Sequence, residues 1–205
     1  MLVIGILGGV AGGKSLVAKE LERLGAGHLD ADRAGHEVLR LASIRAAARQ
    51  RWGSEVFDAE GQIDRSRLAR IVFAAPPSGL RERKYLEQLT HPEIGRLLAQ
   101  QAEQLTASGA TAAVLDAPLL LEAGWDKFCD TLVFVDAPRD VRLARALTRG
   151  WTEQEFAARE NAQERLDLKR ERADVVIDNA TSPEHTRLQV ERFWQSLVGG
   201  PAGAR

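Results

Sequence analysis

The eight residues Gly8-Gly9-Val10-Ala11-Gly12-Gly13-Lys14-Ser15 restrict the possible folds of this chain more than any other stretch. They read G-x-x-x-x-G-K-S, follow the apolar run Leu2 to Leu7, and lead into the helix-like stretch Leu16 to Leu24. Such a loop binds phosphate. Its glycines let successive backbone N–H groups turn inward around phosphate oxygens, and the following helix adds its positive N-terminal end. Lys14 supplies a charge to the β- and γ-phosphates and Ser15 a hydroxyl to Mg²⁺. A strand before the loop and a helix after it are the context that such a motif requires.

The rest of the chain repeats the alternation. Ala112 to Leu115, Thr131 to Val135 and Val175 to Ile177 are short apolar runs of the kind buried on both faces of a parallel sheet, and Gly27 to Asp30 sits where a second strand is due. Helical spacing joins them, with a capping box at Thr152-x-x-Glu155 and a Ser182-Pro183 start to the last helix. Asp136 is placed to cap the helix that Pro138 opens. About five strands alternating with helices predict an α/β fold, a doubly covered parallel sheet of the P-loop type. Residues 33–90 are helical and too long for an ordinary crossover, so they read as an insertion; helical patterning from Leu80 to Leu105 is expected to break at His91-Pro92.

Composition narrows the partners. Lys plus Arg number 28 against 29 Asp plus Glu, so no overall basic field draws the molecule to nucleic acid or to an anionic membrane. Cys129 stands alone, which excludes an internal disulfide and suits an inert buried thiol. With no signal-like N-terminus and no apolar run near the ~20 residues of a membrane span, a soluble cytoplasmic protein is expected.

Ligands on such sheets bind beyond the carboxyl ends of the strands, where this sequence puts Asp30 and Asp32, Asp116, Asp136, and Asp178-Asn179. Asp30 and Asp32 share a face if the strand continues, and either suits a base for a hydroxyl attacking the γ-phosphate; capping aspartates fill such positions equally well. Asp116 suits Mg²⁺, directly or through water, or a turn cap. Arg142, Arg145 and Arg149 fall along one helix face, and Arg159 and Gln163 along the next. Singly each reads as solvated surface; as a cluster they can close over a triphosphate. Trp125 and Phe128 read as packing residues.

Taken together these stretches resemble the bacterial dephospho-coenzyme A kinases, within the nucleoside-monophosphate-kinase-like P-loop group. The resemblance rests on Gly8 to Ser15, His28 to Asp32, Gly61 to Arg65, Leu89 to Pro92, Asp116 to Glu122, Arg145 with Arg149, Arg159 with Gln163, and Ala173 to Asn179. It implies ATP- and Mg²⁺-dependent phosphorylation of the ribose 3′-hydroxyl of dephospho-coenzyme A, by a monomer or weak homo-oligomer. It also implies one domain over 1–200: a core (1–32, 91–139, 173–200), a substrate-binding insertion (33–90), a lid (140–172) and a frayed tail at 201–205.

The resemblance makes Asp32 the base or orienter of the 3′-hydroxyl, with Lys14 and Arg145 beside it in catalysis. Arg65, His91, Pro118, Leu119 and Glu122 fall at acceptor positions, Arg149, Arg159 and Gln163 in the lid, and Asn179 near adenine. This chain departs from the family pattern at Gly12 and Leu16, where Ser and Thr are usual, and at Ala180-Thr181 after Asp178-Asn179. The rivals are a kinase for a nucleoside monophosphate or shikimate, and a GTP-dependent switch, which needs an Asn-Lys-x-Asp element that Val135 to Pro138 lacks.

Overall fold

The structure, a computed structural model, describes residues 1–117 and 119–199. Pro118 and the tail at 201–205 lie outside the described residues. The strands are β1 (Leu2–Gly8), β2 (Gly27–Leu29), β3 (Ala112–Asp116), β4 (Thr131–Asp136) and β5 (Val175–Asp178). They form one parallel sheet in the order β2-β3-β1-β4-β5, with Ile4 opposite Val114 on one side and Thr131 on the other. β1 is therefore central, which explains why Ile4 to Gly8 are all buried and why the run is apolar without alternation. Its carboxyl end opens at the point where the strand order reverses, the place such sheets keep for ligands.

α1 (Lys14–Arg23) and α9 (Pro183–Val198) cover one face of this sheet. Val17 and Leu21 from α1 and Val190, Phe193 and Trp194 from α9 join Ile4, Ile6, Val114, Val133, Val135 and Ile177 in one buried cluster. Truncating Leu21, which is fully buried, to Ala would cost about 2–5 kcal/mol. After β4 come α6 (Arg139–Thr148), α7 (Glu153–Asn161) and α8 (Leu166–Glu171). The Thr152-Glu155 capping box forms as its sequence predicts, and Ser182 caps α9 by accepting from the His185 N–H.

A compact helical unit runs from Asp30 to Gln101; the sheet unit is Met1–Leu29 with the chain from Ala102 onward. The helical unit holds α2 (Ala31–Val38), α3 (Ala42–Trp52), α4 (Arg65–Val72) and most of α5 (Ser78–Ala107). Three local expectations are corrected. α5 does not break at His91-Pro92: Pro92 lies inside it, and burial of Thr90, Ile94, Gly95 and Leu98 outweighs the one backbone donor that Pro removes. The second strand stops at Leu29, so Asp30 and Asp32 do not share a strand face. Asp30 caps α2 through the Arg33 N–H, and Asp32 sits in the first turn. Asp136 does not cap α6; it is ion-paired to Arg170, and Pro138 stands at the N-cap of α6 without a side-chain cap.

Phe128 is also exposed rather than packed, whereas Trp125 is buried. Cys129 is half-buried, and its thiol is pushed up to about 12, chiefly by burial, so little reactive thiolate forms at neutral pH.

Candidate active site

The loop between β1 and α1 takes its shape from residues that approach it after β5 and from α6. Gly13 is left-handed at φ 97°, and a Cβ there would lie 1.9 Å from Asn179 Nδ2, so only glycine fits. That close approach serves a contact: Asn179 Nδ2 donates to Gly12 O at 2.8 Å, and Asn179 Oδ1 accepts from Thr186 Oγ1 at 2.8 Å. Arg145 crosses from α6, donating to Asn179 O at 2.8 Å and to Gly12 O at 3.4 Å. Burial, followed by Arg149, lowers the Arg145 pKa from its usual value. Asn179 is itself buried and its N–H donates to Asp136 O at 2.7 Å, so the end of β5 holds the loop's second corner. Ala11 is the described non-glycine residue with positive φ, at 56°, a conformation that costs an L-residue roughly 1–2 kcal/mol.

Lys14 opens α1 and folds its Nζ back toward Gly8 O (3.3 Å) and Gly9 O (3.4 Å). Burial lowers its pKa, opposed first by the nearby Asp116 carboxylate at the end of β3. Ser15, next along, is exposed in the first turn of the same helix. Lys14 also lines a small enclosed space with Gly8, Ala117, Leu120 and Lys169. Lys169 is buried and pairs with Glu122 at 3.1 Å; Glu122 also accepts the Glu164 N–H at 2.9 Å. Glu122, predicted to contact the acceptor, is thus the counter-ion of the buried Lys169. Nothing in the sequence marked Lys169, because no spacing rule links a lysine in α8 to a loop at residue 8. Leu119 accepts the Ala123 N–H at 2.8 Å in the turn after β3.

Two pockets meet the loop. One, of about 420 Å³, is lined by Gly13, Leu16, Arg145, Thr148, Arg149 and Asn179. The other, of about 400 Å³, is lined by Gly9, Arg142, Glu160, Gln163, Glu164 and Arg165. The expected lid residues divide between them: Arg149, exposed, borders the first, and Gln163 the second. Arg159 is stacked on Trp151, 4.1 Å from the ring centroid, and borders neither. Arg142, Arg145 and Arg149 do not converge as one open face, because the first two are spent on carbonyls of the loop and its supports.

Asp32, Arg65 and His91 belong to the helical unit. Asp32 and Arg65 are exposed, each at the beginning of a helix, and His91 is half-buried, its pKa lowered by burial against the opposing pull of Glu87.

A family model described as dephospho-CoA kinase matches residues 2–184. The chain belongs to the dephospho-CoA kinase family. It is 38% identical over 205 residues to the dephospho-CoA kinase of Symbiobacterium thermophilum, covering 99% of this chain and 84% of that one. To the dephospho-CoA kinase of Geobacter metallireducens it is 40% identical over 204 residues, covering 97% and 98%. A crystal structure from Thermus thermophilus superimposes with a TM-score of 0.78 at 32% identity, covering 98% of each chain. The chain is therefore an enzyme of the P-loop kinase fold whose reaction is phosphorylation of dephospho-CoA with ATP, the last step of coenzyme A biosynthesis. The Gly12 and Leu16 departures acquire a setting: the carbonyl of Gly12 is where Asn179 and Arg145 both attach, and Leu16 lines the first pocket.

Proposed function

We propose that the loop Gly8 to Ser15 holds the ATP triphosphate, with adenine in the pocket beside Gly13, Leu16 and Asn179, and that Asp32 orients the ribose 3′-hydroxyl of dephospho-CoA for in-line attack. The observation that carries the nucleotide half is the pinned Gly12–Gly13 corner, whose Gly12 carbonyl accepts from both Asn179 Nδ2 and Arg145 Nη1. In the transfer the bond from the γ-phosphorus to the β-bridging oxygen breaks, a bond to the 3′-oxygen forms, and the hydroxyl proton passes to Asp32 or to solvent. Because the transition state is loose, holding that hydroxyl in line matters more than removing its proton early. Lys14, with Arg145 behind the loop, balances charge on the phosphates.

Hard oxygen donors suit Mg²⁺, and Ser15, next to Lys14 in the chain, and Asp116, close enough to act on the Lys14 charge, would hold it. Among the described residues no group of three or more His, Cys, Asp or Glu side chains could hold a metal ion. Bound at Ser15 and Asp116, Mg²⁺ would neutralise charge developing on the phosphates.

For the acceptor we assign contacts to Arg65, His91, Pro118 and Leu119, with Glu122 acting through Lys169, and to Arg159 and Gln163 from the lid. The enzyme is read as cytoplasmic, a monomer or weak homo-oligomer, without nucleic-acid or membrane partners; no helix among the described residues is long and apolar enough to cross a membrane. Phosphorus and proton NMR of the reaction product tests the assignment. A new phosphomonoester coupled to the ribose 3′ position is expected, and phosphate at any other hydroxyl refutes the placement of Asp32.

A further inference from the structure

Arg142 is an arginine that the sequence grouped with Arg145 and Arg149, yet it borders the opposite corner of the loop. It is only 3% exposed. A guanidinium stays charged in a protein, so at that depth its donors need acceptors. They have them: Nε donates to Ala137 O at 3.1 Å, Nη1 to Val10 O at 3.5 Å, and Nη2 to Glu160 Oε1 at 2.7 Å. The first acceptor follows β4, the second lies in the phosphate loop, and the third stands on α7. The other oxygen of Glu160 accepts from Arg139 Nε at 2.9 Å.

The packing around this pair is matched to it. A Cβ on Gly9 would lie 2.9 Å from Arg142 Nη1, so glycine there admits the guanidinium against the loop. Val10 and Ala11 pack with Ala146, Phe156, Leu143 and Trp151, which screens the loop's contact with α6 and α7 from water. Arg142 also lies over the Phe156 ring, 5.6 Å from its centroid. Glu160 is the residue after Arg159, so whatever fixes Glu160 fixes where α7 offers Arg159. Gly9, Arg142, Glu160 and Gln163 then line one pocket at the loop's first corner.

We propose that Arg142 is a positioning residue for phosphoryl transfer: it fixes the Gly9–Val10 turn and, through Glu160, couples that turn to α7, so that loop geometry and lid position change together. A planar fork with donors on three nitrogens is required, because one ammonium cannot reach three acceptors on separate elements. The proposal rests on the assignment of the loop to ATP. A pair that only fastened α6 to α7 would contribute stability and leave turnover alone.

The test is a double-mutant cycle of Arg142→Gln, Glu160→Gln and the double variant, with Arg142→Lys alongside. Each is measured for kcat, for KM of both substrates, for ADP binding by calorimetry and for Tm. We expect each single change to lower kcat at least fivefold and to weaken ADP binding, with the KM for dephospho-CoA within twofold. The double variant should be no slower than the worse single, and Arg142→Lys should not restore turnover. A kcat loss below fivefold, losses that multiply in the double variant, or rescue by lysine overturns the proposal. If Arg142→Gln fails to fold, Glu160→Gln alone decides by the same kcat threshold, since its side chain is partly exposed and keeps its shape. Wild-type protein that binds ADP but does not turn over dephospho-CoA would defeat the assigned reaction instead, and the cycle in ADP affinity would still judge the coupling.

Discussion

Replacing Asn179 by Ala removes the contact that holds the second corner of the phosphate loop, and its consequences can be worked out in advance. Two buried hydrogen bonds are lost, Asn179 Nδ2 to Gly12 O and Thr186 Oγ1 to Asn179 Oδ1, both at 2.8 Å. At about 0.5–1.5 kcal/mol each, the sum is roughly 1–3 kcal/mol of stability. Compensation is partial, because Thr186 Oγ1 also lies 3.3 Å from Asp178 O and 3.4 Å from Ser182 O, while Gly12 O keeps Arg145 at 3.4 Å. For a chain of this size the melting temperature should fall by roughly 2–12 °C. Only the Gly12 bond bears on the loop; if ATP must restore that order itself, its KM rises by roughly 2- to 13-fold.

Calorimetry and steady-state ADP release measure the two effects, with Thr186→Val as the control. That change removes the hydroxyl but leaves Nδ2 on Gly12, so the melting temperature should drop without a change in the KM for ATP. An Asn179→Ala enzyme with a lower melting temperature and an unaltered KM for ATP, or an equal rise in the KM for dephospho-CoA, would refute the reasoning.

Lys14→Ala should abolish turnover while the far-ultraviolet circular dichroism stays native, since the hydrogen bonds it removes go to loop carbonyls, at 3.3 and 3.4 Å. Asp32→Asn should lower kcat far more than ATP affinity; a near-normal kcat in a coupled assay would remove Asp32 from the reaction. In the helical unit, hydrogen bonds from Arg51 and Arg81 hold the Glu82 carboxyl at about 2, below its usual 4.5. A depressed folded pKa stabilises fully above 4.5 and ceases to do so as pH falls through about 2, so the urea midpoint difference between wild type and Glu82→Gln should shrink over that range. A difference that stayed constant with pH would contradict the pairing.

The sheet was legible because its strands are buried on both faces and therefore read as unbroken apolar runs, and because the loop motif fixes which run lies at the centre. α5 was misread at Pro92 for a definite reason: local propensity sees the missing N–H but not the buried face of Ile94 and Leu98 that carries the helix through. Asp136 was misread because its partner, Arg170, lies 34 residues away, and ion pairs across that separation leave no local pattern. The loop residues themselves could be read directly, since their chemistry is contained in eight consecutive positions. Their role as supports could not: Asn179, marked only as a site residue just after β5, and Arg142 and Lys169, from α6 and α8, are gathered at one strand end only by the folded sheet. Arg142 carried a partial signal in its helical spacing with Arg145, but spacing could not tell a solvated arginine from one buried beneath the loop.

This chain is a dephospho-CoA kinase by family, and dephospho-CoA is expected to be its preferred acceptor over other small hydroxyl compounds. An ADP-release panel with purified protein, offering dephospho-CoA, nucleoside monophosphates and shikimate in turn, tests it most directly. Rapid release is expected with dephospho-CoA and ATP, and background release with the other acceptors. Equal or faster turnover with a nucleotide or with shikimate would contradict it.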